Sequence, residues 1–419
     1  MDLLALAKEN FPYTVSLRRH FHEYPESGPE EQVNTMADIM EELRRLDIPY
    51  EQVPGGGIFA HIHGAEGGKT VLMRADMDAL PILESETNLV GPKKCVSKIP
   101  GVMHGCGHDG HLAMLLTEAK ILKSMEAQLP GSILLMFEEG EEGHGNGQNM
   151  CLYMQEHNLH ADICYASHVR WDVPVGKVAC NYGPAMSGLY HFELELYGQT
   201  GHGSRPDLAH STLDCFHEIY NTLQTLRLRY VRPDSSLTWS IGTLHTGERF
   251  NVVPDDLVCQ GSVRFLDRES GMAFWSEFRR VLDSVCPLNY CTYQLRVPEM
   301  LLPTTNYAPC TKLFRDAAEE YLGSDAIYEC EPWMASETFS FLCNMIPGVN
   351  SFTGIRDDAY GSGANHHTPE FDIAEEGLLY GVAAALGYVL NYFRCPPDLS
   401  GFQPVSGSME DLIHLVRNA

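Results

Sequence analysis

Three short runs leave this chain few architectures to choose from. "TVLMRAD" (70–76), "SILLMF" (132–137) and "DICYASH" (162–168) are nearly continuous in apolar residues, and acids or a histidine follow or close each one. Runs of this kind suit strands buried on both faces, as in a sheet covered by helices. Between the first two, "HLAMLLTEAKILKSM" (111–125) has the length and period of a helix. Upstream, "EEQVNTMADIMEELRRLD" (30–47) reads as an amphipathic helix with Val33, Met36, Ile39, Met40 and Leu43 on one stripe. "VNSFTG" (349–354) is a later strand candidate, and the apolar helix 374–393 follows it.

From about residue 187 the texture changes. "HFELELYG" (191–198) places Phe192, Leu194 and Leu196 on one face and Glu193, Glu195 and Tyr197 on the other, the mark of a half-exposed antiparallel strand. A helix, two strands, a second helix and a last strand follow, a βαββαβ order that predicts a ferredoxin-like unit. The expected fold is therefore α/β, a mixed-sheet catalytic domain carrying an inserted ferredoxin-like lid. Its expected boundaries are 1–186 with 304–419 for the discontinuous catalytic domain and 187–303 for the lid. A chain of 419 residues exceeds what one core usually supports, which agrees with two domains.

Charge narrows the choice of partner. Against 29 Lys and Arg stand 56 Asp and Glu, a net charge of −27, which repels phosphate backbones and argues against nucleic acid. No apolar run reaches membrane-spanning length, and "MDLLALAKEN" lacks the basic start of a signal peptide, so the expected location is the cytoplasm with no membrane partner. The 13 cysteines are scattered, with no CxxC pair, and read as reduced and mostly buried thiols. A small molecule remains the expected substrate.

Ligands of open α/β sheets bind outside the carboxyl ends of the strands. There this chain gathers Asp76 and Asp78, then Glu138, Glu139, Glu141 and Glu142, then His168, with His366 and His367 before the last long helix. "HGCGHDGH" (104–111) adds Cys106 and His108 on a glycine-rich turn that lets the donors crowd together. Each residue alone has an ordinary structural explanation; their joint arrival at one sheet edge points to metal chemistry. Thiolate and imidazole suit zinc or manganese, and of the adjacent Glu141 and Glu142 one can hold metal while the other takes a proton from a bound water. Two divalent ions are expected, with zinc and manganese both open.

"RRHFHEYPE" (18–26), "MRADMDALPILE" (73–84), "GVMHGCGHDGH" (101–111), "FEEGEEG" (137–143), "GHGSRP" (201–206), "NVVPDD" (251–256), "ASETFSF" (335–341) and "HHTPEF" (366–371) occur in the order seen in the di-metal aminoacylase and carboxypeptidase family. The chain resembles its branch of hippurate hydrolases, N-acyl-amino-acid amidohydrolases and auxin-conjugate hydrolases. The resemblance implies that Cys106 bridges two metals, with His108, Glu142, His168 and His367 completing the set. It implies Glu141 as general base, Asp78 behind the ligands, His202 reaching a partner's active site to stabilise the oxyanion, and Asn251 on the substrate. A homodimer or higher homo-oligomer through the lid is implied with it. The implied reaction is hydrolysis of the amide C–N bond of a small N-acyl amino acid by metal-bound hydroxide. Deamination of an aromatic amine, a dipeptidase reaction and an inactive metal-binding module stand as alternatives. The chain departs from the pattern in reading "EGEEG" for "PAEEG" and "SETF" for "SEDF", so Thr338 replaces an acid, and His366 is an alternative to His367.

Overall fold

The computed structural model describes residues 1–28, 32–64, 68–143 and 146–417. Contacts divide these into two units: Met1–Ala185 with Thr305–Glu331 and Thr338–Leu412, and Met186–Thr304 with Pro332–Glu337 and the C-terminal residues from Ile413.

The first unit is built on a seven-stranded mixed sheet, in the order Tyr50–Val53, Gly57–Ile62, Ser132–Glu138, Thr70–Asp76, Ile163–Pro174, Gly348–Arg356 and Val178–Ala179. The four strands from Ser132–Glu138 to Gly348–Arg356 run parallel, and the flanking strands pair antiparallel. The parallel strands are the apolar runs of the sequence, and most of their residues are buried, as burial on both faces requires. The chain leaves Thr70–Asp76 through helix His108–Ser124 to the strand on one side, and then crosses to Ile163–Pro174 on the other. That reversal opens a crevice at the carboxyl end of Thr70–Asp76. Helices Leu3–Glu23, His108–Ser124, Ala308–Leu322 and Gly377–Arg394 pack with one another and supply much of the core.

The helix expected over 30–47 forms as Val33–Arg45, with residues 30 and 31 outside the described set. Met36, Ile39 and Leu43 are buried as the stripe predicts, whereas Val33, the first residue of the helix, is exposed. His168 also differs from its expected place. It lies inside Ile163–Pro174, opposite Phe352, because the strand continues beside Gly348–Arg356 for six residues more.

The second unit carries a four-stranded antiparallel sheet in the order Leu237–Thr246, Asp256–Phe265, Gly188–Tyr197 and Thr292–Leu301, with helices Thr212–Tyr230 and Arg268–Leu288. This is the ferredoxin-like arrangement. Phe192, Leu194 and Leu196 are buried as the alternation predicts. All 13 cysteines are free, eleven of them buried. Among the described residues no helix is long and apolar enough to cross a membrane.

Candidate active site

The donors meet where strands Thr70–Asp76 and Ser132–Glu138 end, beside His168 within Ile163–Pro174. Helix His108–Ser124 begins on Gly107, whose φ is +99°. A Cβ there would lie 2.3 Å from Val169 Cγ2, so glycine is required both by backbone conformation and by space. This turn sets Cys106 and His108 on either side of one residue and faces both toward the sheet edge.

Hydrogen bonds fix which ring nitrogens are available. His168 Nδ1 lies 2.6 Å from the Val169 carbonyl oxygen, which can only accept, so Nδ1 carries the proton. The lone pair of Nε2 then faces Cys106 Sγ at 3.5 Å. His108 Nδ1 donates to Asp78 Oδ1 at 3.1 Å, which leaves Nε2 buried with no hydrogen-bond partner, 3.9 Å from Glu142 Oε1. Orienting a ligand ring through its other nitrogen is the usual support for a metal-binding histidine. Asp78 holds a second donor too, its Oδ2 accepting from the Glu142 backbone N–H at 2.8 Å.

His367 Nε2 lies 3.1 Å from Glu142 Oε1. Its backbone sits at φ +62°, rare for a residue other than glycine, and its N–H donates to the Gly105 carbonyl at 2.9 Å. That pairing ties the loop before the last helix to the cysteine turn. His366 is buried behind, its ring 5.2 Å from that of His168 and 4.7 Å from Phe371. Of the two histidines the sequence left open, His367 is the one beside Glu142.

Ligand atoms of Cys106, His108 and His168 lie within 4.8 Å of one another, and so do those of Cys106, Glu142 and His367. The two groups share Cys106. His108, Glu141 and Glu142 make a further such group. Asp76, His108 and His111 also fall within that spacing, but both nitrogens of His111 are committed. Its Nε2 accepts from the Val169 N–H at 2.9 Å and its Nδ1 donates to Asp76 at 2.6 Å, so His111 braces the sheet edge and has no lone pair to offer.

The electrostatics favour positive charge at this place. Burial pushes the Cys106 thiol well up, and Glu142, Glu141 and Asp76 push it further, so a neighbouring cation is what would make it a thiolate. Burial disfavours a charged His108, yet Asp76, Asp78 and Glu142 outweigh it and push the ring up to about 10. Burial, with His111 and His366 adding to it, keeps His168 well below its ordinary value and hence neutral, as a ligand must be. The orphaned Nε2, the opposed lone pair and the concentrated carboxylates fit divalent cations.

Residues 72–391, more than half of the sequence, match the peptidase family M20/M25/M40. The chain belongs to that family. It is a hydrolase of amide bonds, and candidate metal ligands converge at its sheet edge. IAA-amino acid hydrolase ILR1-like 4 of Arabidopsis thaliana is 32% identical over 396 residues, covering 93% of this chain and 88% of that protein. N-acetyl-L-cysteine deacetylase of Bacillus subtilis is 31% identical over 388 residues, covering 90% and 89%. The fold matches a crystal structure of a dinuclear metal-binding M20 peptidase from Bacillus subtilis with a TM-score of 0.75 at 24% identity, over 92% of this chain and 99% of that one.

His202 and Asn251 belong to the second unit. His202 pairs with Val252 in a two-stranded ribbon, and the Asn251 carbonyl accepts from Gly203 at 2.9 Å, which sets the two residues side by side and exposed. Ser204 N–H donates to His202 Nδ1 at 3.0 Å, so the proton of the neutral ring is on Nε2.

Sequence reading passed over Arg74. It is buried within strand Thr70–Asp76 and donates to Glu138, Asp76 and the Thr338 hydroxyl. The available signal was a lone cation inside an apolar run. Arg18 and His22 were missed as well. Arg18 Nε and His22 Nδ1 each lie 2.8 Å from Asp109 Oδ2 beneath the cysteine turn, and His22 Nε2 lies 2.9 Å from Glu84.

Proposed function

We propose that this M20 protein hydrolyses the amide bond of a small N-acyl amino acid with two divalent cations, manganese or zinc, held by Cys106, His108, Glu142, His168 and His367. The observation that carries this reading is the convergence on one thiol, common to two ligand groups, of two imidazole Nε2 atoms: that of His108, buried with no hydrogen-bond partner, and that of His168, whose proton is held on Nδ1. The named relatives that act on IAA-amino acids and N-acetyl-L-cysteine support the substrate class. Cations bound here supply Lewis acidity, lowering the pKa of water and polarising a carbonyl.

The chain's own groups do the rest. Glu141 accepts the Thr338 N–H at 3.0 Å, a bond that orients the carboxylate to take a proton from the attacking water and pass it to the leaving amine. Asp78 holds His108 and the Glu142 backbone in register. His202, with its proton on Nε2, is suited to donate to a tetrahedral oxyanion, and Asn251 beside it to hold the substrate. In a homodimer formed through the second unit, His202 acts in a partner's site.

The test is product release by metal-stripped protein reconstituted with manganese or zinc, against N-acyl amino acids, dipeptides and aromatic amines. Metal-dependent amino-acid release is expected from the acyl panel, and Glu141→Gln is expected to abolish it with metal content retained. Near-normal turnover of Glu141→Gln sinks the assignment of the base, and ammonia from the amines alone moves the chain to a different C–N bond.

A further inference from the structure

Arg74 spends its guanidinium on one small buried cluster. Nε donates to Glu138 Oε2 at 2.7 Å, with Nη2 2.6 Å from the same oxygen; Nη1 donates to Asp76 Oδ2 at 2.8 Å. Nη2 also reaches Thr338 Oγ1 at 2.8 Å, and that hydroxyl donates to Glu138 Oε1 at 2.7 Å. The backbone N–H of the same threonine is the group that holds Glu141. Arg74, Asp76, Glu138 and Thr338 are each at most 5% exposed, so water does not screen the charges. Asp76 is shared with His111, and Glu138 is the carboxylate facing Arg74 on the Thr338 side.

The cluster links two segments 200 residues apart. It pins Thr338 against strand Ser132–Glu138, three residues before the glutamate that Thr338 in turn orients. We propose that Glu138 is a positioning residue for Glu141, and that its buried negative charge holds Arg74 and Thr338 in the arrangement that orients the base. The inference rests on Glu141 being the base, as proposed above.

Thr338 Oγ1 is within hydrogen-bond reach of both Glu138 and Arg74, so an acid at 338 would enter the same ion cluster. With Glu138 present, the two carboxylates would repel; with Glu138 neutralised, the new acid would restore the pairing. The two substitutions are therefore expected to harm singly and to compensate together.

The experiment compares metal-loaded wild type with Glu138→Gln, Thr338→Asp, the double variant and Glu141→Gln, by steady-state kinetics on an N-acyl amino acid and by thermal melting. Each single is expected to lower kcat by about 10–100-fold, the range typical of losing a supporting partner in such sites. KM is expected to stay within about twofold, since orientation of the base, and not substrate binding, is what changes. The double variant is expected to regain most of kcat, and Tm to follow the same pattern. Should Glu138→Gln fail to fold, recovery of a cooperative melt in the double variant reads the same compensation. A double variant no better than the worse single overturns the inference. Unimpaired singles beside an inactive Glu141→Gln overturn this inference alone, whereas an active Glu141→Gln overturns it together with the reading it rests on.

Discussion

Arg74 and Arg296 each reach two carboxylates, Asp76 and Glu138 in one case and Glu193 and Glu195 in the other. The side chain of Arg74 is 2% exposed and that of Arg296 is 54% exposed. The parallel sheet of the first unit, buried on both faces, can keep a charge only if every partner is kept with it. The antiparallel sheet of the second unit turns alternate residues outward and lets water do the same work. Similar pairs therefore have different consequences in the two units, and the difference can be measured.

The largest effect is expected at Arg18, which is buried against Asp109 at 2.8 Å, with Glu375 and Asp372 at 3.6 and 3.7 Å. Arg18→Met removes the one fully buried guanidinium from this cluster, leaving Asp109 with His22 and Glu375 with Arg19, and is expected to cost about 3–5 kcal/mol in urea unfolding, the range for breaking a buried pair from one side. A loss below about 1 kcal/mol would show that the first unit admits water to its charges, and the contrast with the second would collapse.

A pH titration of stability sharpens the comparison. Burial and the Arg18 charge depress His22, but Asp109 and Glu84 prevail and raise it above its ordinary 6.5. Its contribution is therefore fully present below pH 6.5 and lost as pH rises through the raised value. Burial would raise Glu84, but its hydrogen bond to His22, the His22 charge and further bonds from Ser97 and Lys93 lower it from 4.5 to about 2. That contribution is present above pH 4.5 and lost as pH falls toward 2. The stability gap between wild type and His22→Gln is thus expected to be widest between pH 4.5 and 6.5 and to narrow on both sides. A gap that is flat with pH would remove the ionic role of His22.

The smallest effect is expected from Arg296→Ala, under about 1 kcal/mol and smaller still at high salt, because the pair is largely solvated. A salt-independent loss of several kcal/mol would mean that the second unit does not rely on water in this way.

Strand positions were legible because burial on both faces and burial on one face leave different periodicities, continuous in "SILLMF" and alternating in "HFELELYG". The donors were legible because they follow those runs. What could not be read is everything that depends on two distant segments meeting. Nothing in spacing links Glu138 to Thr338, or shows that His367, tied by its backbone to Gly105, is the histidine that lies beside Glu142. The extra length of Ile163–Pro174, which puts His168 inside a strand, likewise depends on a partner strand far later in the chain, where Phe352 pairs with His168.

Val169 shows where that hidden information is stored. Its carbonyl sets the proton on His168, its N–H sets the proton on His111, and its methyl dictates glycine at 107. An alanine scan would score it as one more core valine, because replacing the side chain leaves both hydrogen bonds in place. Only a change to the backbone itself, an ester in place of the amide or a proline, would reveal that the protonation states of two imidazoles are written in a residue with no ionisable group.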